Sequence, residues 1–169
     1  MTGTRRDVSV DGFNALPEAE ATQRLLACLS VPRWAAEVVG GRPYADYAAL
    51  TAQAEASAAE LSDDDLSAAL DGHPRIGERA GTGHDADFSA REQAQVDRDD
   101  AEVMATLADG NREYERRFDR VFLIRAARRS SSEILAELRR RLDNDDETER
   151  AETVAALRDI ALLRLKDVM

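Results

Sequence analysis

The sequence predicts an all-α fold: a single-domain helical bundle with a functional loop between two of its helices. Hydrophobic residues make up 43% of the 169 residues, but aromatic residues only 5%, because Ala and Leu dominate and favour helix over strand. Apolar residues recur at helical spacing between capping residues along most of the chain. The length corresponds to one domain, which we place at residues 13–169 behind a flexible polar tail at residues 1–12.

The N-terminal half is punctuated as a series of helices, each opening at a proline or at an acidic cap. Ser30 is predicted to cap the second of them. A pair of glycines ends the second helix and an Asp-Gly step ends the fourth, because glycine is favoured just after a helix C-terminus. The four predicted helices cover residues 17–29, 32–39, 44–60 and 62–70.

Apolar periodicity is lost between His73 and Asp87, where three glycines follow one another closely. Irregular stretches of this length commonly carry function in a compact domain. A helix is then predicted from Ser89 to Phe118, with a break or kink near Gly110.

The C-terminal part begins with a short apolar run, Val121 to Ile124, which is either a strand or a buried extended connector. Ser130–Ser132 are predicted to cap the helix that follows. A last helix is predicted to start at Asn144-Asp145-Asp146 and to carry an apolar stripe on one face.

Charge and composition exclude several classes of function. A formal net charge of −11 argues against a nucleic-acid partner. No apolar run approaches the length of a membrane span, so no membrane partner is expected. Cys28, the single cysteine, cannot form an internal disulfide, which indicates a reducing, cytoplasmic setting.

Both histidines, His73 and His84, fall in the irregular stretch. The ordinary pKa of histidine lets it exchange protons near neutral pH. Pro74 biases His73 towards an extended backbone, which would fix the direction of its side chain. A histidine after a helix C-terminus can also serve the helix dipole, so the residue alone leaves both interpretations open.

Three polar residues gather at the predicted helix start beyond this stretch. Ser89 and Glu92 have the spacing of a capping box, and Gln93 adds a further polar group. Taken alone, the pattern is explained by helix capping.

Asn111 and Arg129 are the remaining polar candidates. Asn111 falls on an apolar helical stripe and is expected to point inward, where hydrogen bonding in the core is the simplest explanation. Arg129 precedes a serine-rich helix start, a position that can receive an anion or merely form a surface ion pair.

In order and spacing, these segments resemble the OHCU decarboxylase (2-oxo-4-hydroxy-4-carboxy-5-ureidoimidazoline decarboxylase) family. The likeness covers nearly the whole chain, and its most specific part is His-Pro-x-Ile-Gly followed by Ser-x-x-Glu-Gln. The chain departs from the family at Arg128, where glycine is usual, so either the backbone is unstrained there or Arg128 alters the approach to the site. The segments that carry the resemblance are Phe13-Asn14-x-Leu16, Trp34, Arg42-Pro43-Tyr44, His73-Pro74-Arg75-Ile76-Gly77, Ser89-x-x-Glu92-Gln93, Asn111-x-x-Tyr114, Phe122-Leu123-Ile124, Arg129-Ser130 and Ile160-Ala161-x-x-Arg164-Leu165.

The resemblance implies an all-helical enzyme, usually a homodimer, that needs neither a cofactor nor a metal. Its reaction would be the decarboxylation of OHCU to (S)-allantoin in urate degradation. His73 and Glu92 would be the catalytic, proton-handling pair. Substrate binding would fall to Pro74, Ser89, Gln93, Ile124 and Arg129.

This chemistry suits these residue types. When CO2 leaves a carbon beside a ring C=N, the ring itself takes up the electrons, so no pyridoxal, thiamine or metal is required as an electron sink. The protein must supply a fixed orientation, a proton, and donors for the developing charge. Which of His73 and Glu92 takes the hydroxyl proton and which serves the carbanion stays open.

Two other functions remain as alternatives. One is an acidic helical interaction module without catalysis, in which the irregular stretch is only a connector. The other is a metal-dependent hydrolase, although the spacing of its ligands matches no standard template. Those ligands would be His73, His84, Asp85 and Asp87.

Overall fold

The computed structural model describes residues 9–71, 73, 75–76 and 101–169. Within these ranges the chain forms helices and no strand, and none of the helices is long and apolar enough to cross a membrane. The all-α prediction is therefore confirmed. The helices are α1 (Val10–Ala15), α2 (Glu18–Cys28), α3 (Pro32–Gly40), α4 (Tyr47–Ala59), α5 (Asp63–Asp71), α6 (Ala101–Phe118), α7 (Ser131–Leu142) and α8 (Asp146–Val168).

Two helix starts differ from the prediction. α3 has Val31 as its N-cap with no side-chain cap bond, so Ser30 does not cap it. Pro32 at the first turn has no N–H to satisfy, which reduces the need for a cap. α4 begins later than predicted, because the Asp46 carboxylate accepts a hydrogen bond from the backbone N–H of Ala49 at 2.8 Å and sets the N-terminus there.

The first helix, α1, begins at Val10, inside the segment that was predicted as a tail. Ser9 caps α1 by accepting a hydrogen bond from the backbone N–H of Gly12 at 3.2 Å. Asn14 then exchanges two hydrogen bonds with the backbone of Tyr44, each 2.8 Å long. Two of the segments quoted for the family resemblance thus hold α1 against the loop before α4.

The first of two hydrophobic clusters is built from α1–α5 and α8. At its centre Trp34 is fully buried, and its indole N–H donates to the carbonyl of Ala54 at 2.9 Å. This cluster fixes α5, the helix that ends just before His73. The residues that α8 contributes to it are Val154, Leu157, Ile160, Ala161 and Leu165.

The second cluster lies between α6 and α7. A Cβ at Gly110 would come within 2.5 Å of Leu138 Cδ2, so glycine allows the two helices to approach closely. α6 is one continuous helix through Gly110, so of the break or kink predicted there the break is wrong. The glycine serves packing between helices and does not end α6.

Val121–Ile124 forms an extended connector without strand pairing, which settles the alternative left by the sequence. Leu123 packs in the first cluster, whereas Phe122 and Ile124 pack in the second. The connector therefore joins the two clusters. As predicted, serine caps α7, through a capping box of Ser130 with Glu133.

Candidate active site

His73 is buried immediately after α5. Its backbone N–H donates to the carbonyl of Leu70 at 3.0 Å, and the residue is only 8% exposed. Burial, and next the positive charge of Arg164, lowers the pKa of His73 from 6.5 to about 3. The imidazole is therefore neutral near pH 7, which argues against a protonated histidine that stabilises the helix dipole.

Arg164 of α8 is a candidate that the residue-by-residue reading of the sequence missed. It is 1% exposed, it lies close enough to His73 to lower the pKa of that imidazole, and its Nη1 donates to the carbonyl of Cys28 at 3.4 Å. The sequence feature that could have identified it is its position within the apolar stripe of the last helix. An arginine at an inward position is expected to have a partner or a function.

The segment after His73 is held by α6. Asn111 is 3% exposed, and its Nδ2 donates to the carbonyl of Ile76 at 3.3 Å, which confirms that this asparagine points inward. Arg75 forms a two-pronged ion pair with Glu115, with N–O distances of 2.5 and 2.9 Å. A cavity of about 550 Å³ lies between this segment and α6.

Ile124 and Arg129 lie on the loop between α6 and α7. Ile124 is buried in the second cluster, whereas Arg129 is partly exposed. The charge of Arg129 helps to lower the pKa of Glu137 on α7, after the larger effect of Arg140. The roles of Ile124 and Arg129 in substrate binding stay predictions.

Arg128 lies in a tight turn at the end of this loop. The backbone N–H of Arg129 donates to the carbonyl of Ala126 at 3.1 Å, and Arg128 has φ 63°. A positive φ at the third position of a turn is where glycine is favoured. The first explanation offered for the departure from the family, an unstrained backbone, is therefore wrong, and the strain costs about 1–2 kcal/mol.

The other predicted site residues, Pro74, Ser89, Glu92 and Gln93, lie outside the described residues, as do three of the four ligands of the alternative metal site. In the part of the chain that the structure describes, no three His, Cys, Asp or Glu side chains are grouped as metal ligands.

Comparison with known proteins gives one family and several similar solved structures, two of which follow. The profile of the OHCU decarboxylase family matches residues 14–166. A crystal structure of OHCU decarboxylase in the presence of (S)-allantoin has a TM-score of 0.74 and 21% identity, covering 86% of this chain and 96% of that chain. A crystal structure of (S)-allantoin synthase has a TM-score of 0.71 and 18% identity, covering 96% of this chain and 54% of that one, about half its length. The search of curated proteins found no match.

At these identities the structural likeness establishes the fold, and the family profile establishes the relationship. The profile includes His73, the connector and α7, and it reaches almost to the end of α8. The chain belongs to the OHCU decarboxylase family, a family of carboxy-lyases.

Proposed function

We propose that this protein removes the carboxyl group of OHCU and releases (S)-allantoin, as a step of urate degradation. The family match over residues 14–166 is the observation that carries the proposal. The fold shared with an OHCU decarboxylase crystallised in the presence of (S)-allantoin supports it.

In the proposed reaction His73 and Glu92 handle the protons. A neutral, buried imidazole can accept a proton, but a pKa of about 3 makes it a weak base before substrate arrives. An anionic substrate placed beside it would raise that pKa towards the working range. Arg164, next to His73, would offer positive charge to the substrate or to the charge that develops as CO2 leaves.

Binding would be shared by the remaining predicted residues. Ser89, Gln93 and Arg129 would hold ring or ureido oxygens, while Pro74 and Ile124 shape the pocket. Because the substrate ring takes up the electrons, the reaction would proceed without cofactor or metal. We further propose a cytoplasmic homodimer with neither nucleic-acid nor membrane partners.

The test is a coupled assay with urate oxidase and hydroxyisourate hydrolase, which generate OHCU in place. We expect the protein to accelerate formation of one enantiomer, (S)-allantoin, over the spontaneous racemic route, and circular dichroism reports the difference directly. A racemic product formed at the uncatalysed rate would refute the proposed function.

Matched variants test the assignment of roles in the same assay. His73→Asn should lose about 100-fold to 10,000-fold in rate, the usual contribution of a general acid or base, whereas His84→Asn should stay close to wild type. Glu92→Gln should melt at nearly the wild-type temperature, since glutamine also completes a capping box, and yet lose about 100-fold or more in turnover. Equal effects at the two histidines, or full activity of Glu92→Gln, would contradict the assigned roles.

A further inference from the structure

A buried polar network connects α6, α7 and α8. Glu149 of α8 is fully buried, and its Oε1 accepts hydrogen bonds from the hydroxyl of Tyr114 and from Arg141 Nε and Nη2, the last two at 2.9 and 2.5 Å. Its Oε2 accepts a hydrogen bond from Asn144 at 3.0 Å. Arg141 itself is 3% exposed. The buried charges are therefore paired, and both carboxylate oxygens have donors.

One guanidinium nitrogen of Arg141 forms a hydrogen bond outside this network, to the connector. Its Nη1 donates to the carbonyl of Leu123 at 2.6 Å, and its guanidinium carbon lies 4.8 Å from the centroid of the Phe122 ring. The capping box at the start of α7 fixes the far end of the same loop. Ile124 and Arg129 thus lie between two anchored points.

Stability alone does not explain an arginine at this position. Apolar side chains of similar volume commonly replace a buried ion pair without loss of stability, and the surroundings of Arg141 already include the apolar second cluster. No apolar side chain, however, can bond to Glu149 and to the carbonyl of Leu123 together. The planar guanidinium has five N–H donors in a fixed arrangement and does both.

We propose that Arg141 is a positioning residue for the decarboxylation. It holds the Leu123 carbonyl, and through it the adjacent Ile124 and the loop to Arg129, in the geometry that binds substrate. The inference rests on the proposed function, because it assigns the connector to the substrate site. Arg141 does not touch the reacting atoms and acts only through the backbone that it holds.

Arg141→Lys tests the proposal, with Tyr114→Phe as the matched control. Lysine keeps a positive charge for Glu149, but its single ammonium cannot reproduce the bonds to both Glu149 and the connector. Tyr114→Phe removes a hydrogen bond to the same carboxylate and leaves the Arg141–Leu123 contact in place. We expect Arg141→Lys to raise KM for OHCU roughly 10-fold or more, and Tyr114→Phe to change KM less than about twofold even where both lower Tm.

Backbone amide hydrogen exchange gives a second readout that does not require activity. Exchange over residues 121–126 should become faster in Arg141→Lys and not in Tyr114→Phe. The proposal would be overturned if KM were unchanged in Arg141→Lys, or if KM rose in both variants in proportion to their loss of Tm. Unchanged hydrogen exchange over the connector would also overturn it. A wild-type protein that does not decarboxylate OHCU would refute the proposed function instead, and the exchange experiment would still test the hold of Arg141 on the connector.

Discussion

The burial of His73 couples its protonation to folding. Its pKa is about 3 in the folded protein and 6.5 when the side chain is exposed to solvent. Between these values the unfolded chain binds more protons than the folded one, so this group makes stability rise with pH across that window. Its contribution is fully present above pH 6.5 and is lost as the pH falls towards 3.

We therefore predict that His73→Asn flattens the dependence of stability on pH. The free energy of unfolding from urea titrations at several pH values between about 4 and 7 should fall less steeply in the variant, by at most about 1.4 kcal/mol per pH unit. Carboxylates titrate in the same range in both proteins, so the difference between the two curves isolates the histidine. Parallel curves would mean that His73 is not buried as a neutral group.

At the level of helices, the approach of α6 to α7 depends on Gly110. Alanine in a helix interior is favoured over glycine by about 1 kcal/mol, but overpacking a filled core costs about 1–3 kcal/mol. Because Leu138 is fully buried, it has little room to move away from the added methyl group. We predict that Gly110→Ala lowers the free energy of unfolding by about 1 kcal/mol, measured by urea titration.

Two comparisons check the cause of that loss. Gly40→Ala, with nothing within 4 Å of the added Cβ, should be neutral or stabilising. Introduced into a Leu138→Val background, which lacks the clashing Cδ2, Gly110→Ala should no longer destabilise. A loss of equal size in both backgrounds would exclude the clash as the reason.

The local sequence pattern predicted most helices correctly. It was wrong where a helix boundary depends on which residue caps the helix, or where a residue is explained by a contact with another helix. α2 and α5 follow their apolar spacing, but the start of α4 depends on the capping carboxylate of Asp46 and not on Pro43, from which the sequence predicted it. Gly110 looks like a helix stop in sequence because its partner, Leu138, belongs to another helix. In the site, His73 could be predicted from its residue type and its spacing to the other motif residues. Arg164 could not, because it comes close to His73 only when α8 packs in the folded protein.

At the scale of the whole molecule, the connector and α8 both link the two hydrophobic clusters. The connector places Leu123 in one cluster and its neighbours Phe122 and Ile124 in the other. α8 contributes its apolar stripe to the first cluster, while its Glu149 bonds to side chains of α6 and α7 beside the second. Unfolding either cluster alone would break these buried contacts, so the two should unfold together.

The single tryptophan allows this cooperativity to be tested, because Trp34 lies in the first cluster and Gly110 contacts the second. Tryptophan fluorescence reports the first cluster alone, whereas far-UV circular dichroism reports all helices. We predict that the two signals give the same urea midpoint in wild type, and that Gly110→Ala shifts both midpoints equally, although the substitution lies outside the cluster that holds the reporter. The destabilisation then passes from the second cluster to Trp34 in the first. An unmoved fluorescence transition beside an earlier loss of helix would show that the clusters unfold separately, and that the loop carrying Ile124 and Arg129 spans two independent units.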